Sequence, residues 1–554
     1  MSKKRARLSA DFETTTDPND ARVWAACAVD IDTLETAFIG NSIESFFDYL
    51  QDKNTVCYFH NLKFDGEFIL SYLLRNGYTY SEEPKDNTFS TLITDGGVWY
   101  SLTVIFEKRG KKYKKAVFYD SLKKLPFKVA TISKAFNLED EKLVIDYNAP
   151  RPVGHELTDE ERAYIVNDCR IVAAALQIQF EQGLKRMTNA SDALHNFKEG
   201  ITLKHFEKFF PTFPIELDDF IRKSYKGGYV YLNPKHRGRR GLQGVTFDVN
   251  SLYPSVMYEK MLPYGYPVYF TGAPEKTRDY PLFIVHLKAA FELKPNHLPT
   301  IQLKNNRAFV ETEYLTSSGG DVVDMTLTNV DLDLFLEHYD VYNLEYVKGL
   351  KFKGREGFFK EYIDYWMHIK ETSTGAIRQL AKLMLNSLYG KFATNPKGRK
   401  KVPKLDDDDI VRYELDDPDD RDPVYTAMGC FITAYAREKT IRSGQSVFDR
   451  FIYADTDSLH LTGFVIPENI DVHPTRLGAW KHEGTFTDSK FIRAKTYMET
   501  TEEGTKVTCA GMPDNVKANV TYDNFQSGST FEGKLMPKRV PGGVVLVETT
   551  FTIK

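Results

Sequence analysis

Hydrophobic and polar positions divide the chain into two regions with different patterns. In the first 190 residues, short runs rich in β-branched and aromatic residues, at 5–12, 55–60 and 114–119, alternate with helical periodicities. This alternation predicts an α/β domain that closes with a long helix. The capping box from Thr158 to Glu161 predicts where that helix begins, and we expect it to end near Gly183.

The second region begins after a polar segment rich in Gly and Arg, at 187–245, which predicts a basic domain junction on the surface. Beyond it, the pattern predicts a strand at 244–249, helices at about 355–370 and 373–389, and a hairpin at 451–461. Two stretches look inserted. One, at about 260–357, has its own β pattern; the other, at 397–422, changes from basic residues to an aspartate block and is equally consistent with a solvated hairpin.

Composition and charge narrow the class of protein. A chain of 554 residues with 42% hydrophobic and 27% charged residues predicts three to four folded domains and excludes a chain that is disordered throughout. The net charge of −4 means that any nucleic-acid site must be a local basic channel. Five cysteines without a Cys-x-x-Cys pair argue against a disulfide framework or a zinc site, and no apolar run predicts a membrane span or a secretion signal.

The first domain carries a set of acidic residues in an α/β context. Asp11 and Glu13 are two positions apart on a predicted strand, so both carboxylates lie on one face. Alone, such a pair is more often a solvated turn. Asn61 and Asp65 follow a second apolar run, and Tyr164 and Asp168 share one face of the closing helix. Together these residues suit phosphodiester hydrolysis by two Mg²⁺ or Mn²⁺ ions.

The second region carries its own acidic set. Asp248 ends a predicted strand, and we expect Asp455 and Asp457, two positions apart in the hairpin, to meet it around two cations. Between these strands a helix places a cationic stripe on one face, formed by Arg378, Lys382, Asn386 and Tyr389. Taken separately, the helix could be an exposed polar face and the hairpin acids a polar turn. The presence of both the acidic set and the cationic stripe favours nucleotidyl transfer with a triphosphate substrate.

With these motifs in place, the chain resembles the protein-primed family B DNA polymerases of the phage phi-twenty-nine type. The resemblance runs nearly end to end, from the motif Asp11-Phe-Glu-Thr to the closing Val540-Pro-Gly-Gly-Val-Val. It implies an α/β plus α+β multidomain fold, in which an RNase H-like exonuclease domain precedes a right-hand polymerase with two inserts. The implied boundaries are 1–189 exonuclease, 190–259 palm with the junction motif, 260–357 first insert, 358–394 fingers, 395–427 second insert, 428–509 palm and 510–554 thumb.

The resemblance implies roles for residues of the exonuclease domain. The three motifs of a 3′–5′ proofreading exonuclease match Asp11 with Glu13, Asn61 with Asp65, and Tyr164 with Asp168; the implied metal ligands are Asp11, Glu13, Asp65 and Asp168. His60 is expected to be structural rather than a metal ligand. The residues implied to hold the frayed single strand are His60, Asn61, Phe64, Ser121, Leu122 and Lys142.

The resemblance extends to the polymerase residues. Asp248, Asp455 and Asp457 match the metal acids, with the Val249 carbonyl as a further ligand, and Tyr253 matches a steric gate against ribose. The implied nucleotide-binding residues are Tyr253, Lys370, Arg378, Lys382, Asn386 and Tyr389. The implied contacts with template and primer are Thr433, Arg437, Lys495 and Tyr497. Tyr225, Gly227 and Gly228 match the junction motif that balances synthesis against excision.

The implied activity is processive, strand-displacing DNA synthesis with proofreading, primed by a terminal protein, on a linear phage-type genome. The implied cofactors are two Mg²⁺ or Mn²⁺ ions per active site, and the substrates are dNTPs. The implied partners are primer-template DNA, single-stranded DNA and the terminal protein, which is expected to dock on the first insert. The second insert is expected to encircle DNA. Otherwise we expect a monomer without membrane contact in the cytoplasm of an infected bacterium.

A few positions depart from the family pattern. The hairpin reads Tyr-Ala-Asp rather than Tyr-Cys-Asp, which should leave the metal geometry intact, and Lys226 occupies the second junction position. Val144 stands where some relatives carry an acid, so an auxiliary metal site there is not expected. The acidic stretch 406–420 would repel phosphate, whereas the basic half of the insert, 397–404, would compensate.

Three other functions fit parts of the pattern. One is a single-strand exonuclease whose second half only binds DNA, and another is a replication scaffold without catalysis. Synthesis of RNA, or reverse transcription, is a third, because an Asp-Asp turn is shared by many polymerases. Tyr253 argues against ribonucleotides. Nucleotide incorporation on a primed template separates the first two from a polymerase.

Overall fold

The structure is a computed structural model that describes residues 5–302 and 313–554. Residues 1–4 of the predicted domain 1–189, and residues 303–312 of the predicted insert 260–357, lie outside the described residues. Within the described ranges, none of the helices is both long enough and apolar enough to span a membrane.

The first part of the chain folds into one eight-stranded sheet with helices packed on it, which confirms the predicted α/β architecture. Its strands are β1 (Ala6–Thr14), β2 (Val23–Asp30), β3 (Thr36–Gly40), β4 (Asn54–Phe59), β5 (Thr79–Tyr80), β6 (Thr88–Ile93), β7 (Trp99–Arg109) and β8 (Lys112–Asp120). Its helices are α1 (Ile43–Leu50), α2 (Leu62–Arg75), α3 (Val129–Phe136) and α4 (Asp159–Glu181). The strand order is β3-β2-β1-β4-β8-β7-β6-β5, with β1, β4 and β8 parallel. The carboxyl ends of these three strands therefore meet at one edge, where sheets of this kind bind ligands.

Helix α4 begins as the sequence predicts. The Thr158 hydroxyl accepts from the Glu161 N–H, and the Glu161 carboxylate accepts from the Thr158 N–H, so the capping box is complete. The helix packs on β1 and β2 and ends at Glu181, two residues before Gly183, which has a positive φ of 80°. This packing brings Tyr164 and Asp168 towards the carboxyl end of β1.

The segment 187–245 differs from the prediction of a polar surface junction. It contains the helices α5 (Asn189–Ile201), α6 (Leu203–Phe209) and α7 (Ile215–Arg222), and the strand β9 (Val230–Leu232). The reason is that Phe197 and Phe210 recur at spacings that pack them against Phe359 and Phe392 in the main core. The basic end of the segment is also engaged, because Arg240 pairs with Asp488 and Asp523.

The chain next forms the strand β10 (Gly244–Val249) and the helix α8 (Leu252–Glu259), and then a separate unit at the predicted first insert. That unit contains β11 (Leu262–Thr271), β12 (Leu282–Leu293), β13 (Ile301–Gln302), β14 (Tyr314–Leu315), β15 (Val323–Thr328), α9 (Asn329–His338) and β16 (Tyr339–Arg355). Four strands form an antiparallel sheet in the order β11-β16-β12-β15, which has its own hydrophobic core under α9.

Two helices and a hairpin follow. The helices are α10 (Lys360–Thr372) and α11 (Gly375–Phe392), and the hairpin consists of β17 (Arg399–Leu405) and β18 (Val411–Pro418). Helix α10 begins later than predicted because β16 continues to Arg355. The hairpin is not simply solvated: the Thr91 hydroxyl donates to the Lys401 carbonyl at 3.1 Å, and Val411 belongs to the core of the first domain.

Strands from two distant parts of the second region, before and after the two inserts, form one sheet. After α12 (Thr426–Ser446), the strands β19 (Phe451–Asp455), β20 (Ser458–Thr462) and β21 (Trp480–Phe486) complete a five-stranded sheet in the order β21-β10-β20-β19-β9. The predicted hairpin at 451–461 is therefore confirmed as β19 and β20. Because β10 pairs with β20 in the register Asp248↔Ser458, the ends of both strands lie side by side.

The last part of the chain contains β22 (Asp488–Arg493), β23 (Thr496–Thr501), β24 (Gly504–Cys509), α13 (Asp514–Lys517), β25 (Thr530–Val540) and β26 (Gly543–Thr552). The first three strands share a hydrophobic core with the segment that follows. The long hairpin of β25 and β26 reaches the first domain, where Val540, Val544 and Val545 are buried in the core of that domain.

Candidate active sites

Four carboxylates converge at the carboxyl edge of the first sheet. Asp11 and Glu13 alternate on β1 opposite Cys27 and Ala25 of β2, whose small side chains leave room for them. Asp65 lies in the first turn of α2, and Asp168 lies on the buried face of α4. The structure therefore brings together the acids that the sequence predicted, from three different elements.

The electrostatics of this cluster reflect like charges in a buried place. Burial, together with the charge of Asp168, raises the pKa of Asp11 from its ordinary value to about 7. Burial and the charge of Asp11 also raise the pKa values of Glu13 and Asp65 well above their ordinary values. One cation is close, since the Lys142 ammonium donates to Asp168 Oδ2 at 2.5 Å. The charge of Arg151 also lowers the pKa of Glu13, but burial and like charges outweigh both cations, because the pKa values of Asp11, Glu13 and Asp65 remain raised.

The cavity beside this cluster holds two phenols. Its volume is about 340 Å³, and its walls include the four acids with His60, Asn61, Phe64 and Lys142. The hydroxyl groups of Tyr147 and Tyr164 are hydrogen-bonded at 2.6 Å and stand at the same wall. The Tyr164 hydroxyl is therefore fixed by a neighbour that the sequence analysis did not single out. Tyr147 lies in a loop, where no periodic pattern or motif indicates that it belongs to the site.

The donor set fits hard divalent cations. In the described chain, no hydrogen bond reaches the buried Asp168 Oδ1, so one lone-pair face of that carboxylate is open. Among the described residues, no group of three or more Asp, Glu, His or Cys side chains is arranged so that it could hold a metal ion without further ligands. Mg²⁺ is usually held by one or two carboxylates together with waters and substrate phosphates, so this open arrangement suits an ion shared with a nucleic acid. Zinc, which takes nitrogen or sulfur ligands in closed sites, does not fit.

The predicted single-strand contacts fall into two groups. Asn61 and Phe64 line the cavity, where Asn61 is exposed and Phe64 half-buried, and Leu122 is half-buried. Ser121 is fully buried, with its hydroxyl donating to the Phe59 carbonyl and bonded to His60 Nδ1 at 2.9 Å. The Ser121 hydroxyl is thus engaged within the protein, and a contact of this residue with DNA stays a prediction.

The histidine beside Ser121 has a structural role. His60 Nε2 bonds to the Phe127 carbonyl at 2.7 Å, so both ring nitrogens are engaged within the protein. Burial lowers the pKa of His60 below its ordinary value. Since both ring nitrogens face protein partners, the side chain presents its ring face to a strand. Lys142 is likewise engaged with Asp168.

The second acidic cluster lies where β10 meets the turn between β19 and β20. The Val249 N–H donates to the Asp457 carbonyl at 2.8 Å, which fixes the backbone of the turn beside Asp248. Thr456, at the apex, has a φ of 59° and donates its N–H to the Tyr229 carbonyl at 2.6 Å. This left-handed residue sends the chain back after one residue, so Asp457 faces β10.

Asp248 and Asp457 form the electronegative part of this site. Burial, followed by the charge of Asp457, raises the pKa of Asp248 from its ordinary value to about 7. Burial also raises the pKa of Asp457. Asp248 Oδ1 is buried and, within the described ranges, accepts no hydrogen bond. The two carboxylates therefore offer open oxygen ligands to a cation, with the Val249 backbone beside them.

Asp455 differs from the prediction that three acids gather around the cations. Its two carboxylate oxygens accept from the Lys495 ammonium at 2.8 and 2.7 Å, and the Tyr453 hydroxyl lies 3.3 Å from Oδ2. The Tyr453 hydroxyl also accepts from the Lys495 N–H at 2.9 Å. The reason is the alternation along β19 and its turn: Asp455 pairs within the sheet, whereas Asp457 follows the left-handed residue. Asp455 thus holds Lys495 in place.

Of the predicted stripe on α11, Tyr389 lies close enough to Asp457 for that charge, after burial, to raise the pKa of its phenol, and the cations of the stripe gather around Lys370. The Arg378 guanidinium donates to the Lys370 carbonyl at 2.6 Å, and the Lys370 ammonium donates to the Ser251 hydroxyl at 3.1 Å. Burial and the charges of Arg378 and Lys382 lower the pKa of Lys370. Asn386 is exposed on the same helix. Crowded cations at this position suit an anionic ligand with several charges.

Two tyrosines close the space between α8 and α11. The rings of Tyr253 and Tyr389 stack at a centroid distance of 4.0 Å and an interplanar angle of 16°. Their stacking forms a flat wall next to Ser251, whose left-handed φ of 56° starts helix α8. The wall is rigid because each ring is packed against the other.

The junction motif lies directly against Thr456, in the turn between β19 and β20. A Cβ at Gly228 would lie 2.5 Å from the Thr456 hydroxyl, so only glycine fits there. Gly227 is exposed and Tyr225 is half-buried. Lys226, by contrast, is buried. The motif therefore acts on the site through its backbone rather than as an exposed linker.

Two predicted DNA contacts are buried instead. Thr433 and Arg437 are each 1% exposed on α12, and the Thr433 hydroxyl donates to the Gly429 carbonyl at 2.9 Å. Arg437 makes a bidentate ion pair with Asp331 at 2.8 Å and donates to the carbonyls of Lys226 and Gly227 at 2.9 Å. Both side chains are thus engaged inside the protein, and their contacts with template and primer stay a prediction. Arg437 instead secures the junction loop from below.

The remaining predicted contacts lie at the surface near the turn. Lys495 is exposed, and the half-buried Tyr497 stacks on Phe491 at 5.1 Å and lies 5.3 Å from Tyr453. The buried pair of His460 and Glu499, joined at 2.6 Å, supports this group of rings. These residues form a firm base on which Lys495 reaches the active site.

Comparisons with known proteins agree with this geometry. A family model described as DNA polymerase type B, organellar and viral, matches residues 48–153 and 145–474. The DNA polymerase of Bacillus phage phi29 is 49% identical over 99% of each chain. The DNA polymerase of Streptococcus phage Cp-1 is 38% identical over 99% of this chain and 98% of that relative.

Solved structures give the same result. Phi29 DNA polymerase with primer-template DNA and incoming nucleotide matches with a TM-score of 0.96 and 49% identity, over 99% of this chain and 100% of that one. Phi29 DNA polymerase with single-stranded DNA matches with a TM-score of 0.95 and 48% identity, over the same shares of the two chains.

Proposed function

Since this chain belongs to the phi29-type family B DNA polymerases and is a DNA polymerase, we propose that its two acidic clusters divide the work. The Asp248–Asp457 cluster extends the primer, and the cluster of Asp11, Glu13, Asp65 and Asp168 removes its 3′ end. The observation that supports this division is the pair of buried carboxylate oxygens, one in each cluster, that accept no hydrogen bond in the described chain.

In synthesis, the side chains around Asp248 bind and orient the substrates. Asp248 and Asp457, with the Val249 carbonyl, would hold Mg²⁺ or Mn²⁺ ions, and such ions lower the pKa of a hydroxyl and neutralise phosphate charge. Arg378 and Lys382, together with Lys370, hold the β and γ phosphates of the dNTP, and Asn386 borders the same path. Tyr253 fills the space at the sugar 2′ position, so a ribose would clash there. Tyr389 offers its ring face to the new base pair.

In excision, the first cluster holds the terminal phosphodiester. Asp11, Glu13, Asp65 and Asp168 would hold two Mg²⁺ or Mn²⁺ ions of their own, while the Tyr164 hydroxyl, fixed by Tyr147, orients the attacking water. Lys142 balances charge at Asp168. Asn61, Phe64 and Leu122 guide the frayed strand, and His60 contributes its ring face.

At the primer end, we assign Lys495 and Tyr497 to contacts with the primer strand. Tyr225, Gly227 and Gly228 connect the strand path to the catalytic turn, since Gly228 lies against Thr456. Thr433 and Arg437 support this loop from inside the protein. Ser121 supports His60 in the same way.

The wider biology is also part of the proposal. A terminal protein provides the priming hydroxyl and docks on the 260–357 insert, and the 395–427 insert encircles DNA, which makes synthesis processive and strand-displacing. The predicted boundaries from 1–189 to 510–554 describe these parts. The enzyme otherwise acts as a monomer, and its place of action is the cytoplasm of an infected bacterium, since its relatives are phage polymerases.

Synthesis on a primed single-stranded circle tests this function. With the protein, Mg²⁺ and dNTPs alone, we expect product many times longer than the circle, because displacement and processivity reside in one chain. Degradation of the primer without incorporation would favour a single-strand exonuclease with a non-catalytic second half. Priming is tested by incubating the enzyme with a candidate terminal protein and one labelled dNTP at a time, beginning with dATP. Covalent labelling of the terminal protein is the expected result.

A further inference from the structure

A loop between α3 and α4 supplies part of the cavity beside the first acidic cluster. It comprises residues 137–158, all of which the structure describes, and contains neither helix nor strand. Its side chains Lys142 and Tyr147 line the cavity. Burial contributes little around Tyr147, because Leu143, Val144 and Tyr147 itself are exposed. Polar contacts therefore weigh most in placing the Tyr147 hydroxyl.

The strongest of these polar contacts come from the Arg151 guanidinium. Its Nη2 donates to the Asp146 carbonyl at 2.9 Å, and its Nη1 donates to the Ala149 carbonyl at 3.2 Å. Its Nε donates to the Glu161 carboxylate at 2.8 Å, so all three nitrogens of the side chain are engaged. The backbone on either side of Tyr147 is therefore held by one side chain.

Arg151 is itself firmly placed. Its side chain is only 4% exposed, and the guanidinium lies over the ring of Trp24, on β2, at 4.0 Å from the centroid. The Arg151 carbonyl accepts from the Arg22 guanidinium. A planar group with a ring beneath it and three acceptors around its edge has little freedom to rotate. The loop is thus attached to the sheet at a rigid point.

Glu161 connects this arrangement to helix α4. It completes the capping box of that helix, and its carboxylate also accepts from Arg151 and, at 2.7 Å, from His155 Nε2. Although burial acts in the opposite direction, hydrogen bonds from the helix cap, His155 and Arg151 lower the pKa of Glu161 to about 2. Tyr164 follows Glu161 by three residues, so both lie on one face of α4. The two tyrosines are therefore placed relative to one carboxylate, Tyr164 through the helix and Tyr147 through Arg151.

We propose that Arg151 is a positioning residue for excision, which holds the Tyr147 hydroxyl against Tyr164 by fixing the backbone on both sides of Tyr147. This inference rests on the proposed excision at the first acidic cluster. Arg151 lies outside the set of described residues that line the cavity. Its effect reaches the chemistry through the hydrogen bond of 2.6 Å between Tyr147 and Tyr164, because that bond fixes the hydroxyl that orients the attacking water.

Arg151→Lys separates this role from a purely electrostatic one. The positive charge of Arg151 opposes the burial that raises the pKa of Glu13, so charge alone could matter to the site. Lysine keeps the charge but loses the planar fork that reaches two carbonyls and a carboxylate at once. Positioning predicts that Arg151→Lys slows excision nearly as much as Arg151→Met. Wild-type excision in Arg151→Lys would overturn the proposal.

Single-turnover excision of single-stranded DNA with Mg²⁺ measures the effect, and primer extension is measured on the same preparations. For Arg151→Met we expect excision about tenfold slower at saturating DNA, because a small displacement of an orienting group affects the chemical step. The Kd for the strand and the rate of extension should stay at their wild-type values. In Arg151→Met/Tyr147→Phe, excision should be no slower than in the slower single variant, since both changes break one path. Effects that multiply, or unchanged excision in Arg151→Met, would overturn the proposal.

A double variant separates positioning from stability. Glutamine at position 161 preserves the capping box, so Arg151→Met/Glu161→Gln leaves no buried carboxylate unpaired and should regain the Tm that Arg151→Met loses. Its excision should nevertheless stay slow, because the contacts to the Asp146 and Ala149 carbonyls are still missing. Recovery of excision together with Tm would overturn the positioning role.

Arg7→Met is the matched control. Arg7 also pairs with a carboxylate, that of Asp32, and lies over an aromatic ring, that of Phe180, at 4.7 Å, but at the opposite end of α4. Excision should therefore keep its wild-type rate, and a decrease equal to that in Arg151→Met would overturn the proposal. Failure of the proposed function gives a different result: the wild type would not excise, or Asp11→Ala would excise at the wild-type rate.

Discussion

The two acidic clusters of this polymerase differ in how their negative charge is compensated. In the first domain, four carboxylates lie in a cavity of about 340 Å³, with one lysine and two hydrogen-bonded tyrosines. In the second region, against the effect of burial, the charge of Lys481 lowers the pKa of Asp248 and that of Lys495 lowers the pKa of Asp457, while Asp455 is paired with Lys495. The proposed exonuclease site is dense in negative charge, whereas the proposed polymerase site is flanked by cations that come from other elements.

This difference follows from the substrates. A terminal phosphodiester brings one charge to the exonuclease site, so that site can concentrate carboxylates around the ions. A triphosphate brings several charges, which require fixed cations as well as metal acids. The comparison teaches that acids alone identify a two-metal site, but the cations around them indicate which phosphate chemistry it serves.

The largest expected effect separates the two clusters. Asp457→Asn should reduce primer extension by on the order of 10³-fold or more and leave excision unchanged, and Asp11→Ala should do the reverse. The reason is that each carboxylate belongs to one cluster only. Both activities are measured on the same labelled primer-template, with and without dNTPs. If either substitution removed both activities in a folded protein, the clusters would not be independent.

A second effect concerns the support of the polymerase cluster. Arg437→Met should lower the free energy of unfolding by about 3–5 kcal/mol, because it leaves Asp331 buried without its partner. Denaturant unfolding measures the loss, and the double variant Arg437→Met/Asp331→Leu should recover much of it. The salt dependence of DNA binding should not change. A decrease of the salt slope by about one unit would show that Arg437 contacts phosphate after all.

A third effect sharpens the exonuclease side. Tyr164→Phe should slow excision about 10²-fold, since it removes the hydroxyl that orients water. Extension should stay at the wild-type rate, and a single-turnover assay on single-stranded DNA measures the loss. Tyr147→Phe is the companion variant, with a smaller decrease in the same direction. Unchanged excision in Tyr164→Phe would show that the Tyr164 hydroxyl does not orient the attacking water.

The smallest effect concerns pH and metal. Asp11 and Asp248 have pKa values of about 7 in the folded protein and ordinary values near 3.8 when unfolded. The metal-free folded state therefore binds more protons between these values, and the free energy of unfolding decreases as pH rises from about 4 to about 7. Mg²⁺ should raise Tm by about 2–4 °C more at pH 8 than at pH 5.5. In the double variant Asp11→Asn/Asp248→Asn, Mg²⁺ should raise Tm by the same small amount at both pH values. If the wild-type protein also showed equal increases of Tm at both pH values, the acidic clusters would not have raised pKa values.

Much of this fold follows from local pattern. The capping box at Thr158 and the alternation at 451–461 each gave an element at the right place, because caps and strand periodicity act over a few residues. The acids at 11, 13, 65, 168, 248 and 457 were also identifiable, since their spacing places them on shared faces. The segment 187–245 was not, because its phenylalanines become core only when α10 and α11 pack on them.

The exposure of individual site residues was beyond the sequence. Arg437 and Thr433 resemble DNA contacts by type, but α12 runs through the core and buries both. Asp455 resembles a metal ligand by its spacing from Asp457, yet the left-handed Thr456 changes the direction of the chain between them. The ion pair of Glu67 with Arg539 joins residues that are 472 positions apart in the chain, and no local pattern connects them.

Anomalous scattering from Mn²⁺ gives the most direct test of the central claim, that each cluster grips its own divalent ions. Crystals of this protein with primer-template DNA, a non-hydrolysable dNTP and Mn²⁺ should show anomalous density between Asp248 and Asp457. Crystals with single-stranded DNA and Mn²⁺ should show it among Asp11, Glu13, Asp65 and Asp168. Ordered DNA in both crystals without anomalous density at these carboxylates would contradict the account.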